Sequence, residues 1–256
     1  MIIKQETMAS ESQHWYDADG NPAYEVQAKD GSMRPTTLRD ARKLNLRPSV
    51  TTILGILAKP GLDAWKQNQT IDAALTLPRL EGESLDDFKV RVIQDSKEQG
   101  RKASQLGTDI HASLDKAYQG LPYDPEHDVY VKAVQEAVFL KYGDQKWIAE
   151  KSFSHPLGFG GKIDLASENI VIDFKTTGFT DPKKVGGYDE HQMQLAGYAT
   201  GLCIQHPILA NVYASTTVPG LVHILEYTEE EAKRGWEMFA LCLRLWQVSK
   251  GYFPNA

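Results

Sequence analysis

The chain has only two cysteines, Cys203 and Cys242, among its 256 residues. Two thiols cannot hold a four-cysteine iron–sulfur cluster, and their spacing matches no zinc motif. Because both cysteines stand in apolar sequence of helical character, we expect buried free thiols. The sequence also lacks any run of the roughly 18 apolar residues that a membrane span requires, so no membrane contact is expected.

An N-terminal targeting signal is missing as well. The opening residues MIIKQETMASES contain no cationic start followed by an apolar block, and they are not rich in arginine. This pattern predicts a cytoplasmic protein.

An excess of positive charge is also lacking, since the formal net charge is −6. That balance argues weakly against a nucleic-acid partner, whose usual footprint is a basic surface. The argument is weak because net charge ignores distribution, and part of the acidity could itself form a metal site. Two cationic clusters are present, Lys97-Arg101-Lys102 and Lys183-Lys184. Clusters of this size favour a solvated face over a phosphate contact.

The pattern along the chain predicts one domain, residues 1–256, in three parts. Residues 1–48 contain the turn signals Asp19-Gly20 and Asp30-Gly31, which predict a small β-hairpin extension that ends near Pro48. Residues 49–145 have the composition of a helical elaboration. The expected helix boundaries are a cap at Ser49 or Thr51, a break at Lys59-Pro60-Gly61, further breaks at Gly100 and Gly107, and helix ends at Gly120 and Gly143.

Residues 146–256 change to a strand-rich pattern that would form the catalytic core. Strands are predicted near 147–154, 160–166, 170–176, 208–215 and 221–227, with a helix at about 190–203. Thr228 and Glu231 form a capping box that opens a last helix. Helices before and within a strand block indicate an α/β (α+β) fold, a central mixed β-sheet flanked by helices.

The strongest chemical signal lies in the two β-rich runs on either side of Glu168-Asn169. A tight turn there, favoured by the tolerance of asparagine for positive φ, places Asp164 directly opposite Asp173. Strand alternation then puts Lys175 on the face of Asp173. Two carboxylates opposed among apolar neighbours are costly unless a cation or a shared proton compensates them. A divalent metal is the natural solution, and an exposed polar face on an edge hairpin is the alternative.

Two helical segments supply further candidates. His111 and Asp115 are four residues apart, so they share a helix face, and a histidine backed by a carboxylate is a common metal-ligand arrangement. Gln194 and Tyr198 lie one helical turn apart and could contact phosphate or brace the catalytic strand. Taken singly, each pair is more typical of an ordinary helix surface.

In combination, an aspartate, an Asp-x-Lys strand and a Gln-x-x-x-Tyr helix resemble the PD-(D/E)xK nuclease superfamily. The upstream Gly107-Thr-x-x-His111 is similar to its RecB-like branch. The segment from Pro48 to Trp65 resembles the mitochondrial genome maintenance exonuclease family and its phage and bacterial relatives. The resemblance covers about residue 48 to the end, and it implies a restriction-endonuclease-like core and a bacterial or phage origin.

The resemblance also implies roles for individual residues. Asp164 and Asp173 match the metal-binding acids, and Lys175 matches the catalytic lysine. His111 matches a histidine that completes the metal site, and Phe174 would offer its backbone carbonyl. The supporting or substrate-binding positions and the further candidates are Gln194, Tyr198, Glu150, Asp115 and Trp65. Trp65 could stack on a DNA base, although a core position is the favoured interpretation.

The resemblance therefore implies a Mg2+- or Mn2+-dependent exonuclease, without an iron–sulfur cluster, acting on single-stranded DNA or DNA ends in replication, repair or recombination. A helical arch that admits only free ends would leave a closed circular strand uncut. The alternatives are a structure-selective endonuclease and a DNA-binding recombination subunit without turnover. A helicase or single-strand-binding protein partner is compatible with either activity, but the sequence contains no motif for one.

Overall fold

The computed structural model of the chain describes residues 14–254, so the expected lack of a targeting signal at residues 1–13 falls outside the described part. A five-stranded mixed sheet forms the centre, in the spatial order β5-β6-β7-β8-β9. Its strands are β5 (Ile148–His155), β6 (Phe159–Ala166), β7 (Ile170–Thr177), β8 (Ile208–Ser215) and β9 (Val222–Tyr227). Only β7 and β8 run parallel, because the helix α6 (Asp189–Gly201) connects them. The predicted mixed sheet flanked by helices is confirmed.

Helices cover both faces of this sheet. One face packs against α2 (Val50–Leu54), α6 and α7 (Glu229–Lys250), through side chains such as Val171 and Phe239. The other face packs against α5 (Asp128–Tyr142) and the C-terminal half of α4 (Leu85–Tyr118), through side chains such as Ile172. Adjacent residues of β7 therefore enter two different cores, as strand alternation requires.

The N-terminal extension contains more structure than the predicted hairpin. The Asp30-Gly31 turn does join a hairpin, β2 (Glu25–Gln27) and β3 (Met33–Pro35). Beyond it, β1 (Trp15–Tyr16) pairs with β4 (Arg47–Pro48) around an intervening helix, α1 (Leu38–Leu44). That helix was not predicted, although Thr37 and Asp40 form a capping box and Asn45 ends it in the left-handed conformation.

Gly100 and Gly107 do not break α4, contrary to the prediction. A Cβ at Gly100 would lie 3.3 Å from the Trp65 ring, and one at Gly107 would lie 2.6 Å from Oγ1 of Thr176. These glycines allow close packing of α4 against its neighbours, and the helix tolerates the cost of about 1 kcal/mol each.

Cys203 is also placed differently from the prediction. Helix α6 ends at Gly201, and Cys203 lies in the following turn with a φ of 57°, where its side chain is exposed. Cys242 is the buried free thiol that the sequence predicts.

A two-helix arm extends the fold on the α4 side. It consists of α3 (Pro60–Thr76) and the N-terminal half of α4, which pack against each other. Large apolar side chains remain exposed on both helices, including Leu75 at 79% and Val90 at 54%. Among the residues in the range 14–254, no helix combines the length and the apolar character that crossing a bilayer would need.

Gly235 holds α7 against α6. A Cβ there would meet the backbone carbonyl oxygen of Gln192 at 2.7 Å, and a backbone atom cannot rotate aside. We expect Gly235→Ala to lower the free energy of unfolding by about 1–3 kcal/mol, the usual cost of overpacking. Urea denaturation measures it, with Gly61→Ala as control, since a Cβ at Gly61 meets nothing within 4 Å. Equal stability of the two variants would contradict the close helix contact.

Candidate active site

Strands β6 and β7 separate at Asp164. Their last ladder pair is Leu165 with Ile172, which is the predicted register, but the ladder stops before Asp164 and Asp173 can pair. Instead, Oδ2 of Asp164 accepts a hydrogen bond of 2.7 Å from the backbone N–H of Phe174. The carboxylate thus takes the place of a strand carbonyl, and the two aspartates flank an opening in the sheet.

The turn that sets this register differs in detail from the prediction. Ser167 N–H donates to the carbonyl of Ile170 at 2.9 Å, which closes a two-residue loop at Glu168-Asn169 as expected. Asn169 does not adopt positive φ, so the left-handed turn favoured by its residue type is wrong. Its carbonyl instead accepts from Ile208 N–H of β8 at 2.8 Å.

Asp173 is buried, and three donors surround its carboxylate. Gln194 Nε2 donates to Oδ1 at 2.7 Å, and Asn211 Nδ2 donates to Oδ2 at 2.8 Å. The ammonium of Lys175 lies 2.6 Å from Oδ2. A buried carboxylate requires such partners, because an unpaired buried charge is strongly unfavourable. Its position and orientation are therefore fixed by α6, β8 and its own strand.

Lys175 shares the face of Asp173, as strand alternation predicts, and Gln194 Oε1 accepts from its Nζ at 3.1 Å. Burial acts to lower the pKa of Lys175, but the charge of Asp173 and the hydrogen bond to it outweigh that effect and raise the pKa. The ammonium therefore stays protonated at neutral pH. Gln194 also donates to Tyr198 Oη at 3.0 Å, so the Gln-x-x-x-Tyr pair braces the acid and the lysine together.

Negative charge at the opening is not fully compensated. Burial, and then the charge of Asp173, raise the pKa of Asp164 well above its usual range. Burial raises the pKa of Asp115 to about 6, and Oδ1 of Asp115 is buried without a hydrogen-bond partner among the described residues. The ammonium of Lys175 faces Asp164 and Asp173, and the charge of Lys162, which is itself paired with Glu150, acts on Asp115. Such a cluster is suited to an added cation.

His111 of α4 approaches the acids from the face of the sheet opposite to α6, the helix that carries Gln194. Its Nδ1 lies 3.7 Å from Oδ2 of Asp164, which is an electrostatic contact and too long for a hydrogen bond. Its ring also contacts Phe174 edge-on, with centroids 6.2 Å apart. Chiefly burial lowers the pKa of His111, so the imidazole is neutral and keeps a lone pair for a ligand.

The donor set fits a divalent cation in chemistry. Carboxylate oxygens suit Mg2+ or Mn2+, and a cation would compensate both the unpartnered Asp115 oxygen and the burial that raises the pKa of Asp164. In residues 14–254, however, no three His, Cys, Asp or Glu side chains already stand as metal ligands. Protein donors already occupy part of Asp173, one on Oδ1 and two on Oδ2. A cation would use the remaining lone pair of Oδ1 of Asp173, or Oδ2 after Lys175 releases it.

Two sequence candidates lie apart from this cluster. Glu150, at a φ of 56°, pairs with Lys162 of β6, and that ion pair occupies its carboxylate. Trp65 lies on the arm with 40% of its side chain exposed, neither the core position that the sequence favours nor a contact with the acids.

Asn211 is the site residue that the sequence analysis missed. It is fully buried in β8, its Nδ2 holds Asp173, and its Oδ1 accepts from Tyr227 Oη at 2.8 Å. An asparagine within the apolar run Ile208-Leu-Ala-Asn-Val is a signal, because a buried amide needs partners. The identity of those partners follows only from the parallel pairing of Asp173 with Asn211.

Comparisons with known proteins give distant similarities. No family model matches the sequence, and no curated protein matches it significantly. One solved structure, described as "Putative exonuclease" from Eubacterium rectale, is 14% identical with a TM-score of 0.41 and covers 56% of this chain and 66% of that chain. The structure of SSO0001 is 14% identical with a TM-score of 0.34, over 73% and 86% of the two chains. At these values the function must be argued from the site itself.

Proposed function

We propose that the chain is a metal-dependent DNA exonuclease with a PD-(D/E)xK core of the RecB-like type. The observation that carries this proposal is the convergence of Asp164, Asp173 and Lys175 where β6 and β7 separate. Two acids and one lysine on adjacent strands, with uncompensated negative charge, provide the groups that phosphodiester hydrolysis needs.

The lysine and its supports have distinct tasks in this proposal. Lys175 keeps its proton and offers positive charge to a non-bridging phosphate oxygen, whose charge grows in the transition state. Gln194 holds Lys175 and Asp173 at one spacing through its two amide atoms. Because Gln194 and Tyr198 are buried, at 8% and 5% exposure, they position the site and do not touch DNA.

Asp164, Asp173 and His111 would hold the metal, with the backbone carbonyl of Phe174, and Asp115 would add charge behind them. A bound Mg2+ or Mn2+ polarises the phosphoryl oxygen and lowers the pKa of a water. The neutral imidazole of His111 favours Mn2+ somewhat more than an all-oxygen site would.

The preference for a free DNA end rests on the arm. Lys59, at the start of α3, forms an ion pair of 2.9 Å with Glu190 at the start of α6. Gly107, at the other end of the arm, contacts Thr176 of the catalytic strand. The segment between these two residues leaves the site and returns to it, so the base of the arm would lie beside a strand bound at Lys175.

End-labelled linear and circular single-stranded DNA, with Mg2+, Mn2+ or EDTA, tests this function. We expect metal-dependent loss of the linear strand only, and loss of that activity in Lys175→Ala but not in the control Lys151→Ala, an exposed lysine of β5. Cleavage of the circular strand would contradict the proposed exonuclease activity and select the endonuclease alternative.

A non-catalytic DNA-binding subunit is the second candidate, favoured by the three protein donors that already hold Asp173 and by the lack of a preformed ligand triad in the described residues. Binding of the linear strand without cleavage under any metal condition would select it.

A further inference from the structure

The connection between β7 and α6, residues 178–188, ends in an aromatic side chain that folding leaves in solvent. Tyr188 is 68% exposed, although it directly precedes α6. A single exposed ring is common on protein surfaces, so its meaning depends on the groups that hold it and lie around it.

The Tyr188 ring is held in place by a second ring. His191 meets it edge-on, with centroids 5.2 Å apart and planes at 85°. His191 is fixed in turn, since its Nδ1 and Tyr213 Oη are 2.9 Å apart. The backbone adds a further restraint, because His191 N–H donates to the Tyr188 carbonyl at 2.9 Å. The exposed face of Tyr188 is therefore presented at low entropic cost.

His191 connects Tyr188 to the surroundings of the proposed catalytic group, Lys175. His191 lies on α6 one turn before Gln194, the residue that holds Lys175. Burial first, and then the charge of Lys175, lower the pKa of His191 to about 4, so its imidazole is neutral and adds no charge there. The neighbouring Glu190 is paired with Lys59.

Positive charge lies earlier in the same connection. Lys183 and Lys184 are exposed, and neither has an ion-pair partner among residues 14–254. The loop itself is anchored, because Gly187 packs so closely on Tyr227 that a Cβ there would overlap the tyrosine hydroxyl. Aromatic stacking next to free cations is the combination that binds a single nucleic-acid strand.

We propose that Tyr188 stacks on an unpaired nucleobase of the substrate strand while Lys183 and Lys184 contact its phosphates. This inference deepens the proposed function and rests on it: the substrate at this position is a single strand with its base face open. A paired duplex hides that face, so it gains nothing from Tyr188.

Fluorescence anisotropy of a labelled 12-mer of thymidine, in EDTA to prevent cleavage, tests the stack. Tyr188→Ala is expected to bind about tenfold more weakly, the scale of one lost base–aromatic contact, and Tyr188→Phe to bind like the wild type. Phe139→Ala is the matched control, because Phe139 on α5 is 61% exposed and is not part of this surface. An abasic 12-mer is expected to bind the wild type and Tyr188→Ala equally.

The lysines are tested by salt. The plot of log Kobs against log[salt] has a negative slope. We expect its magnitude to decrease by about 0.7 for each of Lys183 and Lys184 that is replaced by alanine. The double alanine variant of Lys29 and Lys43, two exposed lysines of the N-terminal extension, removes the same charge and should leave the slope unchanged.

Two results would overturn the stack: wild-type affinity of Tyr188→Ala for the thymidine strand, or an equal loss of affinity on the abasic strand. The proposed function stands or falls separately. Cleavage of linear DNA by both the wild type and Tyr188→Ala, with equal affinities, removes the stack and keeps the nuclease. A wild type that neither binds nor cleaves the strand removes both.

Discussion

Asp173→Asn is expected to lower the rate of metal-dependent DNA degradation by roughly 10⁴-fold, the scale on which other hydrolases lose activity with an essential catalytic group. The substitution removes one of two carboxylates that would hold the cation and the negative charge that fixes Lys175. It also leaves one carbonyl oxygen to serve three donors, those of Gln194, Asn211 and Lys175.

Single-turnover decay of an end-labelled strand measures this loss, with circular dichroism to verify the fold. Asp144→Asn is the control, because Asp144 is exposed in the loop after α5 and this substitution removes the same charge as Asp173→Asn. A folded Asp173→Asn variant that keeps a tenth or more of the wild-type rate would show that the catalytic acids lie elsewhere.

Asp164→Asn is expected to stabilise the metal-free protein at pH 8 and to abolish its response to metal. The amide oxygen can still accept from Phe174 N–H, while the repulsion with Asp173 disappears. At a Mn2+ concentration of 100 times Kd, the free energy of unfolding of the wild type should rise by about 3 kcal/mol, which corresponds to about 5 °C in Tm. EDTA should remove that gain, and the variant should show none.

The pH dependence of the difference has a defined sign. Folding raises the pKa of Asp164. Its contribution to the free energy of unfolding of the wild type is therefore fully present below the unfolded pKa of about 3.9, and it is lost as pH rises through the folded pKa. The stability of Asp164→Asn relative to the wild type should therefore grow with pH. Asp115, with its pKa at about 6, lowers the stability of both proteins between about pH 4 and 6, so its own titration cancels in this difference.

Thermal unfolding of both proteins between pH 4 and 8 in EDTA measures this difference. A difference in Tm that stays flat with pH would mean that Asp164 titrates normally. A Mn2+ response that survives in Asp164→Asn would place the cation away from this acid.

Periodicity in the sequence was sufficient to predict the strands of the sheet and the common face of Asp173 and Lys175. The strands around Glu168-Asn169, the capping box at Thr228 and the helix end at Gly143 are local signals, and each is confirmed. The common face of Asp173 and Lys175 followed from the two-residue period of a strand, which backbone geometry fixes.

Local signals failed where a neighbour distant in sequence decides the outcome. Gly100 and Gly107 read as helix breaks, but Trp65 and Thr176 fill the space that the missing side chains leave. Asn169 read as a left-handed turn residue, but its carbonyl is held by Ile208 of β8. In each case a tertiary contact outweighs a residue preference of about 1 kcal/mol.

The sequence by itself determined the order of strands and helices from residue 146 onward, the register of β6 with β7, and the acids and lysine offered to chemistry, because these depend on residues close along the chain. Only the tertiary structure decided that Asn211 and Gln194 hold Asp173, that Glu150 turns to Lys162, and that His191 and Tyr213 support Tyr188. Those contacts join segments whose meeting depends on how the helices pack on the sheet, and no local pattern encodes that packing.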